Sequence, residues 1–171
     1  MGNKSPRQEM IDRNSTATKG FSGINRLDFP HAKGSYLLVL WLAEPRTLQI
    51  GSLGELAFSA GYYLYVGSAR GAGGLAARLK YHLTSTQRHW HIDSLRAAAH
   101  IQEIWLRTAE QHHECQWATL LADLPQLTRP YRGFGSSDCH CFSHLFYCSS
   151  AEALSDVRDV ALKLGLARFP L

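Results

Sequence analysis

Residues 61–83 read GYYLYVGSARGAGGLAARLKYHL, and the organisation of the chain follows from this stretch. Gly61 to Gly67 (GYYLYVG) is an aromatic-rich segment suited to a β-strand. The glycines of SARGAGG then make a loop, and the segment from Gly74 to Leu83 reads as a helix. On a wheel of about 100° per residue, Leu75, Leu79 and Leu83 form one buried stripe. Arg78 and His82, one turn apart, lie beside that stripe, where a helix meets its neighbour and side chains can line a cleft.

Upstream, Ser35 to Leu42 (SYLLVLWL) is a continuous apolar run short enough for a buried strand, ended by Pro45. Leu48, Ile50, Leu56 and Phe58 flank the turn-like GSLGE, which predicts a small β excursion. Downstream, a short helix is expected after His91, and His100 to Leu106 alternates as a third strand. Thr108 is expected to cap a helix running to about Leu121. Residues 122–138 read as loop, and Leu145 to Cys148 as a short strand. Ser149 and Glu152 have capping-box spacing for a last helix, with Gly165 as its stop. Strands and helices without strict alternation argue for an α+β fold. The expected architecture is a small, mainly antiparallel three-stranded sheet flanked by helices, with an extra C-terminal helix.

Three regions follow: a mobile basic arm over residues 1–30, one domain over 31–148, and a C-terminal helical extension over 149–171. The arm and Lys33 carry most of the positive excess, with six Lys/Arg against three Asp/Glu in residues 1–33. Residues 34–150 hold nine against eight, so charge alone favours nucleic-acid binding only weakly. No apolar run reaches the roughly 18 residues a membrane helix needs, and the polar N-terminus has no signal-peptide h-region. The expectation is a cytoplasmic protein without membrane contact. Nothing in the sequence fixes an oligomeric state.

Several residues are chemically conspicuous. Glu114 falls in angle among Trp117, Ala118 and Leu121, and a carboxylate on an apolar stripe needs a partner, a proton or a metal. A salt bridge or a first-turn position facing the helix dipole explains it equally well. Tyr36 and Tyr65 sit in separate apolar strands, where tyrosine ordinarily serves packing. His89, His91 and Asp93 either face a cleft or start a helix. Cys139-x-Cys141-x-x-His144 resembles a partial Zn2+ site, although one residue between cysteines is not the usual knuckle spacing. A fourth ligand would come from elsewhere, with His140, Cys148 and His89 as candidates; otherwise the four cysteines are thiols of a reducing compartment.

Taken in order, Gly34-Ser35-Tyr36, Tyr65-Val66-Gly67, the glycine loop, Arg78, His82 and Glu114 resemble the motif set of the GIY-YIG nucleases. HWHID (89–93) and GFGSSDCHCFSHLFY (133–147) look like its Uri-type small stand-alone branch. The resemblance covers roughly Lys33 to Cys148. It implies a metal-dependent endonuclease acting on DNA, branched or damaged forms included. Catalytic roles fall on Tyr36, Tyr65, Arg78, His82 and Glu114, with a divalent cation, Mg2+ or Mn2+, on Glu114. Substrate contacts fall on Gly67, Ser68, Arg70, Gly73 and Gly74. Tyr36 would orient or deprotonate water, with Tyr65 close by and His82 assisting; Arg78 would stabilise phosphoryl charge. Many family members use an asparagine after the glutamate, whereas all three here (Asn3, Asn14, Asn25) lie in the arm. Either this branch manages without it, or a polar residue of Ser136-Ser137-Asp138 takes its place. The alternative is a nucleic-acid-binding or interaction module that keeps the fold without cutting.

Overall fold

The computed structural model describes residues 28–169 and Leu171. Strand β1 (Gly34–Leu42) is central, because its two-faced apolar run can be buried on both sides. It pairs antiparallel with β4 (Gly61–Ala69) on one edge and β5 (His100–Thr108) on the other. Between β1 and β4, a hairpin of β2 (Arg46–Gln49) and β3 (Glu55–Phe58) forms the expected β excursion. β6 (Leu145–Cys148) pairs with β4 and β7 (Ala167–Phe169) with β5, giving the order β6-β4-β1-β5-β7. The fold is α+β, as expected, but its antiparallel sheet has five strands: two short edge strands flank the expected three.

Alternation along β1 sends Tyr36, Leu38, Leu40 and Leu42 to one face and Leu37 and Val39 to the other. The first face packs on α1 (Gly74–Thr84) and α2 (His91–Arg96) through Leu75, Leu79, Ile92 and Leu95. The second packs on α3 (Glu114–Ala122) and α4 (Ala153–Lys163) through Trp117, Leu121, Val157 and Ala161. The result is a sheet between two helical layers.

The C-terminal region is not an appendage. Arg158 of α4 donates to the buried Glu103 carboxylate of β5 at 3.0 Å, and Trp105 donates to it at 2.8 Å. Burial would raise the Glu103 pKa, but these donors outweigh it and hold the carboxyl below its ordinary range. α4 ends as expected at Gly165 (φ 70°). The Leu166 and Gly165 amides bond back to Ala161 and Leu162, a Schellman turn that leads into β7.

Three boundaries differ from the sequence reading. Thr108 does not cap α3 but ends β5, paired with Gly34; the helix begins at Glu114 after His113. Ser149 does not cap α4, which starts at Ala153 without a side-chain cap. Positions 1–27 of the expected arm lie outside the described residues, but Phe29, within that arm, is buried and packs on Phe169 with centroids 4.2 Å apart and ring planes tilted by 36°, so the packed domain includes part of the expected arm. No helix among the described residues is long and apolar enough to cross a membrane.

Candidate active site

β6 pairs with β4 only from Tyr62 to Tyr65. Beyond Tyr65, Val66 still donates its amide to the His144 carbonyl, and the alternation of the strand turns the Ser68 amide the same way. A cleft of about 540 Å³ opens along this free edge. Tyr65, Gly67, Ser68 and Arg70 of the strand and its exit loop line it, together with Arg78 of α1 and Glu114 of α3. His89, Trp90 and His91 also line it, as do Gly135, Ser137 and Asp138, with the Gly135 amide donating to His91 Nδ1 at 3.3 Å.

The expected catalytic residues thus converge, in two layers. Tyr65, Arg78 and Glu114 reach the cleft, while Tyr36 and His82 lie beneath it, 0% and 1% exposed. Tyr36 Oη is 2.8 Å from His82 Nε2, and the two tyrosine rings are 6.5 Å apart between centroids. Two close approaches make this possible. A Cβ at Gly67 would stand 2.5 Å from Tyr36 Oη, and one at Gly135 (φ 70°) would stand 2.6 Å from the Tyr65 ring.

Asp93 completes the buried layer. His82 Nδ1 faces Asp93 Oδ1 at 3.4 Å, and neither atom has a closer polar partner. The carboxylate also accepts the His89 and Trp90 amides at 2.8 and 2.9 Å and the Tyr81 hydroxyl at 3.3 Å. Asp93 thus both caps α2 and faces the imidazole. This favours the tautomer with the proton on Nδ1, so that Nε2 accepts from Tyr36. Burial pushes His82 below its ordinary pKa, against the opposing pull of Asp93, and keeps the ring neutral. Burial pushes the Tyr36 phenol above its ordinary range, with Arg78 opposing the shift. Burial and then the Tyr36 phenol raise Tyr65 likewise.

Arg78 lies over the Trp90 ring, its guanidinium carbon 4.0 Å from the ring centroid. That contact holds a cation at the cleft wall without neutralising it. Glu114 opens α3 with its side chain 16% exposed, and His112 Nδ1 is 4.0 Å from one oxygen. Asp138 and Ser137 share its cleft and are the polar residues at the place expected to substitute for asparagine; Ser136 is buried.

Three substrate-contact expectations change. Gly73 and Gly74 do not line the cleft; Cβ atoms there would meet Ala77 and the Ala32 carbonyl, both at 2.4 Å, so packing of the chain on itself explains them. Arg70 lines the cleft, but its guanidinium donates to the Ala109, Glu110 and Gln111 carbonyls. It clamps the segment leading into Glu114.

Close by, Cys139, Cys141 and His144 gather as their spacing suggested, and the fourth member is Cys115 of α3. None of His140, Cys148 and His89 joins them; Cys148 is buried in the core beneath α3 and α4, and His89 meets Trp90 edge-on, at 90° between ring planes. The four candidate ligand atoms lie within 4.8 Å of one another. Burial and then the neighbouring Cys141 and Cys139 push the Cys115 thiol up to about 12.

The profile of the family described as "Domain of unknown function DUF123" matches residues 35–166, more than half of the chain. The chain belongs to the DUF123 family. No curated protein and no solved structure matches it. The DUF123 match runs past Cys148 through α4, which agrees with the Glu103–Arg158 pair and the shared core that build the C-terminal helix into the domain.

Proposed function

We propose that this DUF123 chain is a metal-dependent endonuclease of GIY-YIG type that hydrolyses DNA phosphodiesters. The observation that carries the reading is the layered cleft. Arg78 and Glu114 line it, and the Tyr36–His82–Asp93 chain lies behind the Tyr65 wall.

Each group has a task that its surroundings suit. The fork of Arg78 binds two phosphate oxygens and stabilises the charge that grows on them. The Ser68 amide at the free strand edge is a second donor for phosphate. Tyr36, with Tyr65 beside it, orients the attacking water. A phenol raised by burial is a poor base alone, so its proton needs an acceptor. His82 Nε2, neutral and 2.8 Å from the phenol oxygen, is that acceptor. Asp93 then stabilises the imidazolium.

Glu114 fits a hard divalent cation, Mg2+ or Mn2+. One carboxylate oxygen set, with Asp138 on the same cleft and phosphate oxygens completing the shell, is the ligand pattern such ions take. When bound, the ion supplies Lewis-acid stabilisation of the scissile phosphate and leaving oxygen. The expected setting is the cytoplasm, where the four free cysteines stay reduced.

The test is cleavage of plasmid, linear and branched DNA by the full chain with Mg2+ or Mn2+, wild type beside Glu114→Ala. Cutting by wild type that Glu114→Ala abolishes supports the reading. Identical silence from both on every substrate sinks it, and salt-dependent DNA affinity without cleavage would leave a binding module instead.

A further inference from the structure

We propose that Cys115, Cys139, Cys141 and His144 form a structural zinc centre that clips the 136–141 loop to the first turn of α3. The proposal does not rest on the nuclease reading.

The donor set is three sulfurs and one imidazole. Soft thiolates with imidazole select zinc, in a closed four-coordinate site. Carboxylates are not needed, so the centre is chemically distinct from the Glu114 position, which offers only hard oxygen. A tetrahedral zinc with ordinary bond lengths places two sulfurs about 3.8 Å apart, and a sulfur and a nitrogen about 3.6 Å apart. Cys139 Sγ is 3.5 Å and Cys115 Sγ 3.9 Å from His144 Nε2, and all four atoms fall within 4.8 Å. The ligands need to close only slightly around an ion.

The imidazole is already aimed. His144 is 1% exposed and turns Nε2 toward the sulfurs. Its own amide donates to the Phe134 carbonyl at 2.9 Å, which fixes the backbone that carries the ring. Meanwhile the three cysteines remain partly exposed, so an ion can enter.

The loop has little else to hold it. From Ser136 to Cys139 its only backbone bonds among the described contacts are Ser136 to Gly133 and Cys139 to Ser136, both 3.4 Å. Yet Ser137 and Asp138 of this loop line the cleft, and Glu114 is the residue before Cys115. A clip between Cys115 and Cys139/Cys141 therefore fixes both cleft carboxylates, Glu114 and Asp138, relative to each other. Binding releases the protons of the thiols it coordinates.

The experiment uses the full chain, purified under reducing conditions and loaded with zinc, then cobalt. Wild type should hold one zinc per chain by native mass spectrometry. Cobalt in its place should give the strong visible bands of tetrahedral thiolate coordination, and a chelator should lower the melting temperature. In Cys115→Ser, zinc should fall to below about a tenth of an equivalent, and the chelator effect should vanish. Folded wild type without zinc, or Cys115→Ser with a full equivalent, overturns the proposal. If Cys115→Ser does not fold, His144→Cys decides. Four thiolates keep the metal and strengthen the sulfur-to-cobalt charge-transfer band. A folded His144→Cys chain lacking zinc, or showing an unaltered cobalt spectrum, overturns it. None of these readouts involves DNA.

Discussion

Replacing Asp93 by asparagine probes the group on which the buried layer depends. The Asp93 side chain is fully buried and faces five donors: the His89 and Trp90 amides, Tyr81, His82 and Arg96. Burial alone would raise its pKa, but His82 and the two amides more than offset this and leave it at about 2. Against about 3.9 in an unfolded chain, the difference amounts to about 2.6 kcal/mol of stability. The folded value is the depressed one. The contribution is therefore complete above the unfolded pKa and is lost as pH falls through 4 towards 2. Asp93→Asn keeps the shape and one carbonyl, but it loses the charge and turns an N–H2 towards groups that are themselves donors. At pH 7 it should cost about 2–3 kcal/mol, or about 5–10 °C in melting temperature for a domain of this size. Urea unfolding followed by circular dichroism at pH 7, 5, 4 and 3 measures both chains. The gap should stay constant from pH 7 to 5 and shrink by about half by pH 3. A gap that is unchanged at pH 3, or absent at pH 7, refutes the reasoning.

Other substitutions probe neighbouring links. Gly67→Ala puts a methyl 2.5 Å from Tyr36 Oη; it should cost about 1–3 kcal/mol by displacing that ring, and a melting curve equal to wild type would show that the cleft floor yields freely. Tyr36→Phe keeps the ring but leaves His82 Nε2 without its partner. Stability should fall by about 1 kcal/mol, and cleavage by about 10²–10⁴-fold with DNA affinity unchanged; undiminished single-turnover cleavage would remove Tyr36 from the mechanism. Arg158→Ala leaves the buried Glu103 with Trp105 and a distant Arg168 (3.6 Å). It should destabilise by about 1.5–3 kcal/mol in chemical denaturation, and a loss under about 0.5 kcal/mol would mean that the pair does not anchor α4.

What was legible in the sequence follows from range. Tyr36, Tyr65, Arg78 and His82 lie on strands and a helix whose apolar periodicity is local, so the faces they occupy can be worked out residue by residue. β7 was not legible: its three residues are mostly exposed, and it exists because the Gly165 turn delivers it to the free edge of β5. Thr108 has cap chemistry, yet pairing with Gly34 across the sheet outweighs it. Phe29 lay in a polar stretch, and its burial depends on distant core partners, among them the ring of Phe169, 140 residues later. Asp93 was readable as a first-turn acid, but not as the partner of His82, because the α1–α2 packing that joins them leaves no spacing signature. Cys115 stands 24 residues before Cys139, outside any ligand motif, and helix α3 alone brings it to the other three.

On the proposed reading, the reaction depends on where the Glu114 carboxylate is held. Glu114 opens α3 after a residue that gives no side-chain cap, so the helix start is not fixed by its own sequence. Two supports act on it from either side. Before it, Arg70 grips the carbonyls of Ala109, Glu110 and Gln111 and so ties the approach to the end of β4. After it, Cys115 joins the loop that carries Asp138. Arg70 therefore contributes through position rather than through phosphate contact. Loosening either support should move Glu114 without touching Arg78, Tyr36 or His82, and a shift of about 1 Å is enough to cost about 10²-fold in rate. Arg70→Lys, which keeps the charge but cannot span three carbonyls, should accordingly lower the cleavage rate while leaving the salt dependence of DNA binding unchanged. A reduced salt slope with normal cleavage would instead make Arg70 a phosphate ligand.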